Sequence, residues 1–222
     1  MAYRRTERVI QRLAGRQTAI IAAAAELAAE SGMAAVQIAP VAERAGIAAG
    51  TVYRYFPSKV DLVSALVATV SEREIGAMRR AAAEAPGPLS SLAAAITTFA
   101  ARALRRRRLA WALLSEPVDR EVDAVRSVFR RALADEVEER IGAAMARGHL
   151  PDQDKRASAA ALVGALLEGL VGPLAPEPAG PAGERAMAQS LALLSLRALG
   201  VLDARARGLV VQTALPQREE AA

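Results

Sequence analysis

The stretch that decides the fold is Ile38-Ala-Pro-Val-Ala-Glu-Arg-Ala-Gly-Ile-Ala-Ala-Gly-Thr-Val-Tyr-Arg-Tyr-Phe56. Its apolar spacing predicts a short helix over residues 38–45 and a second helix from Ala49 to Tyr55. Pro40 falls in the first turn of the first helix, where a missing N–H is harmless, and Gly46 supplies the turn. Two short helices joined by a glycine-containing turn are the sequence form of a helix-turn-helix, here over about residues 37–56.

The second of these helices has two distinct sides. Val52 and Phe56 are four residues apart and should point inward, whereas Thr51, Arg54 and Tyr55 share another side and should point outward. A helix of this size fits the major groove of B-DNA, with its first residues nearest the base edges. Arg54 is the candidate base contact because bidentate arginine to guanine is the commonest specific pairing; a phosphate contact is an equally good interpretation.

Residues from about Ile20 to Leu62 resemble the DNA-binding domain of the TetR family of bacterial transcriptional repressors. The resemblance is carried by Gly50-Thr-Val-Tyr-Arg-Tyr-Phe-Pro-Ser-Lys59, by Asp61-Leu62 after it, and by Val41-Ala42 and Ala45-Gly46 before it. Further upstream, Glu26-Leu27, Glu30 and Gly32 match the first helix of that domain. The resemblance covers roughly a fifth of the chain.

This resemblance implies DNA-binding roles for particular residues. Gly50 would allow close approach to DNA, Tyr53 and Tyr55 would grip phosphates, and Lys59 would add its charge to a helix N-terminus. With the arginine-rich N-terminus, the candidate DNA contacts are Arg4, Arg5, Arg44, Ala49, Gly50, Thr51, Tyr53, Arg54, Tyr55 and Lys59. The chain departs from the family pattern at Ala48, where Ser or Thr usually caps the second helix, and likewise at Gln37 and Ala28.

Charge is concentrated at the N-terminal end of the chain. Of the formal net charge of +5, residues 1–60 supply +4, because they hold eight basic and four acidic side chains. A basic head on a nearly neutral body indicates a polyanionic partner; a solvated tail is the alternative for the arginines from Arg4 to Arg16. The arm could also reach the minor groove.

Composition excludes several classes of function. Alanine accounts for 54 of the 222 residues and aromatic residues for 3%, which favours an all-α protein. The absence of cysteine and the presence of a single histidine, His149, argue against disulfides, thiolate or histidine metal sites and hydrolytic triads. We therefore expect neither an enzyme nor a bound metal or cofactor.

The rest of the chain predicts a helical body. We expect about nine helices in total, with a DNA-binding domain over residues 1–60 and a ligand-binding and dimerisation domain over 61–222. The most apolar stretch, residues 157–175, contains Glu168, three glycines and Pro173, and is better explained as a buried helix than as a membrane span. No secretory signal is apparent, so a cytoplasmic location is expected.

Small and branched apolar residues late in the chain are candidates for a homodimer interface. Small side chains allow helices to approach closely, and two such helices from each copy would form a four-helix seam. An ordinary intramolecular core is the alternative. The candidate residues are Ala161, Gly164, Ala165, Gly169, Leu191, Leu194 and Ala198.

The candidate ligand site rests on few residues. Phe99, Trp111 and Phe129 are the only aromatic residues beyond position 56 and lie on three different predicted helices. Glu168 is interpreted either as the buried partner of an arginine or as a polar group of the pocket. Residues 105–108, all arginine, form an anion site or a solvated helix end. With so few polar aromatic residues, an apolar ligand with few hydrogen bonds is expected.

These observations lead to one principal hypothesis and one alternative. The principal one is a ligand-responsive repressor that binds a palindromic operator in double-stranded DNA as a homodimer and is released by a small apolar effector. The alternative is a helical ligand-binding or scaffold protein with a vestigial DNA-binding head, suggested by the missing cap at Ala48.

Overall fold

The computed structural model describes residues 2–214, with side chains from residue 13 onward, and helices are the only regular secondary structure in this part of the chain. The all-α prediction is confirmed. The helices are α1 (Ala2–Ser31), a 3-10 turn (Met33–Ala35), α2 (Ile38–Arg44), α3 (Ala49–Tyr55), α4 (Lys59–Ala83), α5 (Pro88–Arg105), α6 (Arg107–Leu114), α7 (Arg120–Ala146), α8 (Lys155–Val171), α9 (Gly180–Ala198) and α10 (Asp203–Gln212).

Two helical segments were not predicted. The sequence indicates a first helix from about residue 12, but α1 begins at Ala2, so the basic N-terminal stretch is helical. The helix α10 is the tenth, one more than expected; it follows a turn in which Gly200 has a φ of +95° and packs through Ala206 and Val210. Among residues 2–214, none of these helices is apolar over a length sufficient to cross a bilayer.

The helix-turn-helix folds as its apolar pattern predicts. Ile20 on α1, Val41 on α2 and Val52 on α3 are all fully buried, and α2 packs against both α1 and α3. Gly46 has a φ of +65°, which a side chain would strain, and the next residue, Ile47, donates its N–H to the carbonyl of Ala42 at 3.0 Å. α1, α2 and α3 therefore form one small core.

Helix α4 connects this head to the body. It starts with a capping box, in which the Ser58 hydroxyl accepts the Asp61 N–H at 3.1 Å and the Asp61 carboxylate accepts the Ser58 N–H at 3.0 Å. The predicted division between residues 60 and 61 falls in the first turn of α4. The head thus has a continuous helical link to the body.

The body is built around α5. Its residues from Leu92 to Ala100 are all buried, and α4, α7 and α9 pack around it. Glu136 on α7 is 5% exposed and joins α4 through Arg79, whose Nε donates at 2.6 Å. Burial raises the pKa of Glu136, but hydrogen bonds from Arg79 and Arg140 outweigh it and hold the carboxyl below its usual pKa. The ion pair fixes α4 against α7.

Candidate nucleic-acid interface and ligand cavity

Helix α3 presents a polar, solvent-facing surface. Val52 and Phe56 are buried, at 0% and 4% exposure, whereas Tyr53 is 54% exposed and Arg54 is also exposed. The predicted inward side is therefore confirmed. Thr51 is half-buried at the start of the helix, close to Gly50. A Cβ atom added at Gly50 would meet no atom within 4 Å, so this end of α3 is open to a large partner.

The remaining candidates on α3 and α4 are less exposed than expected. Tyr55 is half-buried and packs against the core, so its side chain is less exposed than the sequence predicts. Arg54 lies over its ring, with the guanidinium carbon 5.9 Å from the ring centroid, which positions the arginine on the helix surface. Ala49 and Lys59 are also half-buried at the starts of their helices.

Arg44 is occupied within the head. Its guanidinium contacts Glu30 at 2.7 Å and Glu26 at 3.3 Å, both on α1. The hydrogen bond from Arg44 lowers the pKa of the Glu30 carboxyl. Arg44 therefore joins α2 to α1, and its contact with the DNA backbone stays a prediction.

The N-terminal arginines are only partly described. Arg4 and Arg5 lie at the start of α1, but their side chains lie outside the described residues. Their predicted contact with DNA stays a prediction.

The missing cap of α3 is a real structural feature. Ala48 is the N-cap residue, with φ −70° and ψ 143°, and makes no side-chain hydrogen bond to the helix. We expect Ala48→Ser to raise the free energy of unfolding by about 1 kcal/mol, because its hydroxyl would accept a free N–H of the first turn. Urea titration measures this, with Ala49→Ser as the matched control one residue inside the helix. An unchanged midpoint for Ala48→Ser would contradict the prediction.

The body contains a small cavity between α4, α5, α6 and α7. Its volume is about 50 Å³, and its apolar wall includes Phe99, Leu109, Leu113 and Phe129. Phe99 and Phe129 thus line one cavity, whereas Trp111 is 38% exposed and does not line it. Trp111 lies two residues from both leucines and so on the opposite side of α6. A ligand-binding role for each of the three stays a prediction.

Glu168 has neither of the predicted roles. It is exposed, and its Oε1 accepts the backbone N–H of Leu174 at 3.1 Å, so it closes the turn after α8. No arginine of the described residues pairs with it, and it does not line the cavity. Residue 172 is a glycine, and the carboxylate of Glu168 occupies the space that a Cβ atom would fill there.

An apolar groove of about 300 Å³ lies between α8 and α9. Leu194 is 56% exposed in it, and Ala161, Gly164, Ala165 and Ala198 are exposed as well. The intramolecular-core alternative is therefore wrong for these five residues. Gly169 is different, because a Cβ there would lie 2.9 Å from Leu191, so this glycine sets the close approach of α8 to α9 within one chain.

A contact missed by the sequence analysis joins the head to the body. The Glu116 carboxylate, just after α6, accepts the backbone N–H of Met33 at 2.7 Å. Gly32 has a φ of +83°, and a Cβ there would lie 2.9 Å from that carboxylate. Arg126, which is 4% exposed, donates to the carbonyls of Ala112 at 2.6 Å and Glu116 at 2.5 Å. The only sequence signal was the helix break at Glu116-Pro117.

Comparisons with known proteins agree with this geometry. The model of the family "Bacterial regulatory proteins, tetR family" matches residues 20–66, which contain the whole helix-turn-helix. Residues 20–66 thus match the DNA-binding domain of this family. The chain is 36% identical over 135 residues to the HTH-type transcriptional repressor KstR of Mycolicibacterium smegmatis, covering 54% of this chain and 64% of that protein.

Two further comparisons show how much of the chain is similar in sequence and how much is similar in fold. KstR of Rhodococcus jostii is 50% identical over 58 residues, which are 26% of this chain and 27% of that protein. The chain thus spans less than two thirds of the length of the curated relatives that it matches. The crystal structure of RolR in complex with resorcinol shares the fold, with a TM-score of 0.67 and 22% identity over 94% of this chain and 98% of that one.

Proposed function

We propose that this protein is a ligand-responsive transcriptional repressor of the TetR family that binds a palindromic DNA operator as a homodimer in the cytoplasm. The observation that carries the proposal is α3, whose exposed Tyr53 and Arg54 lie beside the open backbone at Gly50, within the matched family domain. The 50% identity over 58 residues with KstR of Rhodococcus jostii, which is named a transcriptional repressor, supports the proposal.

The body supports the remaining parts of the proposal. The apolar groove between α8 and α9 has the exposure expected of an isologous dimer interface. A two-fold dimer presents two copies of α3, which suit half-sites about 10 base pairs apart or a multiple of that distance. RolR, which has this fold, binds resorcinol. The cavity between α4 and α7 is the candidate effector site in this chain.

The test is selection of duplexes from a random DNA pool, followed by titration of the winning sequence at several salt concentrations. We expect a palindrome that is bound at least 1,000-fold more tightly than scrambled DNA, about the lower end for specific binding. Recovery of no consensus, with weak and purely salt-driven binding, would favour the alternative of a scaffold protein with a vestigial head.

Substitution of Arg54 tests how the head reads the operator. We expect Arg54→Ala to weaken binding to the selected palindrome about tenfold and to relax the preference at one base position, since a bidentate arginine contact is worth about 1–3 kcal/mol. Arg131→Ala, which removes an exposed arginine from α7, is the control and should bind as the parent does. A uniform loss on all sequences would assign Arg54 to a phosphate instead.

A further inference from the structure

The cavity between α4 and α7 has an apolar wall and a cationic end. Arg102 and Arg106 line it beside a single carboxylate, Glu74. That carboxylate accepts from Arg102 at 2.5 and 3.0 Å and lies 3.9 Å from the Nε of Arg73. One negative charge therefore faces three guanidinium groups.

Arg106 is an exposed arginine whose side chain lines the mouth of the cavity. Within the part of the chain that the structure describes, it has no ion-pair or hydrogen-bond partner. Glu26, the other carboxylate that acts on it at a distance, is bound by Arg44. Burial lowers the pKa of Arg106, and the charges of Arg73 and Arg102 lower it further. The excess of guanidinium groups over carboxylates at this end of the cavity favours an anion there.

The other three arginines of the run at residues 105–108 do not line the cavity. Arg105 donates its Nε to the carbonyl of Ala101 at 3.3 Å, and Arg107 donates to the carbonyl of Ala175 at 3.0 Å. Arg108 is exposed and does not line the cavity. Of the arginine run noted in the sequence, only Arg106 therefore reaches the cavity, as the residue that precedes α6.

A neutral ligand and an anionic ligand would affect Arg106 in opposite ways. A neutral apolar molecule between Phe99 and Phe129 would cover the guanidinium and remove water from it without offering a partner. An anionic headgroup would replace that water with charge-assisted hydrogen bonds and reduce the repulsion from Arg73 and Arg102. The electrostatics of the cavity therefore favour a molecule with a negative end.

We propose that this cavity binds an amphipathic anion, whose carboxylate or phosphate contacts Arg106 while its apolar part enters between Phe99 and Phe129. The inference deepens the proposed effector site and replaces the uncharged apolar ligand expected from the sequence. Because the unliganded cavity measures about 50 Å³, the apolar part must separate α6 from α4 and α5 as it enters.

The test compares matched probes that differ only at the headgroup. Decanoate, decyl phosphate and decanol form one series, and 4-phenylbutyrate, 4-phenylbutyl phosphate and 4-phenylbutanol form the other, since the wall is both aliphatic and aromatic. Dissociation constants are measured by calorimetry on the full chain without DNA, below the micelle concentrations. At least one anion should bind about tenfold more tightly than its alcohol; the stronger of carboxylate and phosphate identifies the headgroup.

Substitution of Arg106 tests whether the tighter binding of an anion than of its alcohol arises in this cavity. Arg106→Gln should weaken the anion about tenfold and leave the alcohol unchanged, whereas Arg108→Gln should leave both unchanged. Binding of neither anion, equal binding of anion and alcohol, or equal losses with both variants would overturn the proposal. Because no DNA is present, failure here leaves the operator-binding result untouched, and a head that binds no operator leaves this result standing.

Discussion

Replacing Leu194 by glutamate is expected to convert the proposed homodimer into monomers. Operator binding should then weaken by about 100- to 1,000-fold, because the second head is no longer held at a high effective concentration near its half-site. Leu194 is 56% exposed in the groove between α8 and α9. In an isologous interface each copy places this residue against the same groove of its partner, so a single substitution buries two carboxylates.

The physical reason is the cost of desolvating those charges in an apolar seam. The groove is lined by Leu162, Leu166, Leu191 and Leu199, and by small residues such as Ala161. None of them offers a cation to a buried carboxylate. An interface of ordinary size buries about 1,200–2,000 Å² in total, and a pair of unpaired charges at its centre removes much of the stabilisation.

Sedimentation velocity and operator titration measure the two consequences. Val128→Glu is the matched control, since Val128 is 70% exposed on α7 and lies outside the groove. That variant should remain dimeric and bind the operator as the parent does. A Leu194→Glu protein that stays dimeric would place the interface elsewhere, and far-ultraviolet circular dichroism establishes that each variant is folded.

The head was the most predictable part of the molecule from its sequence. Its helices α2 and α3 are close in the chain and pack against each other, and the turn needs the left-handed conformation that Gly46 adopts. The start of α1 was missed because its arginine-rich first turns carry no apolar stripe, although arginine itself is a good helix former.

The body shows where local patterns stop being informative. Trp111 and Glu168 were assigned by residue type, but which side of α6 faces the cavity depends on how that helix packs with α4, α5 and α7. The contact between Glu116 and Met33 joins residues 83 positions apart, and no periodicity within either segment indicates it. Such contacts depend on how the helices pack, which the sequence patterns did not specify.

The contact between Glu116 and Met33 is expected to carry the response from the cavity to the head. Leu113 and Leu114, at the end of α6, line the cavity, and Glu116 follows two residues later. Arg126 ties the carbonyls of Ala112 and Glu116 to α7. A ligand that separates α6 from α5 would therefore move the Glu116 carboxylate relative to the Met33 N–H and bias the position of the head.

We expect Glu116→Ala to reduce the effect of an operator-releasing compound on operator affinity toward none. Coupling between two sites is typically about 1–3 kcal/mol, or about 5- to 150-fold in affinity, and this is the range of the expected loss. The variant should also speed hydrogen exchange at the Met33 amide, since the acceptor is lost. Glu121→Ala, an exposed carboxylate in the first turn of α7, is the control.

The experiment measures operator affinity with and without a compound found to release DNA, and the affinity for that compound with and without operator. Because coupling is reciprocal, both ratios must fall together in Glu116→Ala if the contact carries the signal. Loss of ligand binding alone would mean that the substitution damaged the cavity. An undiminished ratio would assign the coupling to the packing of α6 on α1, which the substitution leaves in place.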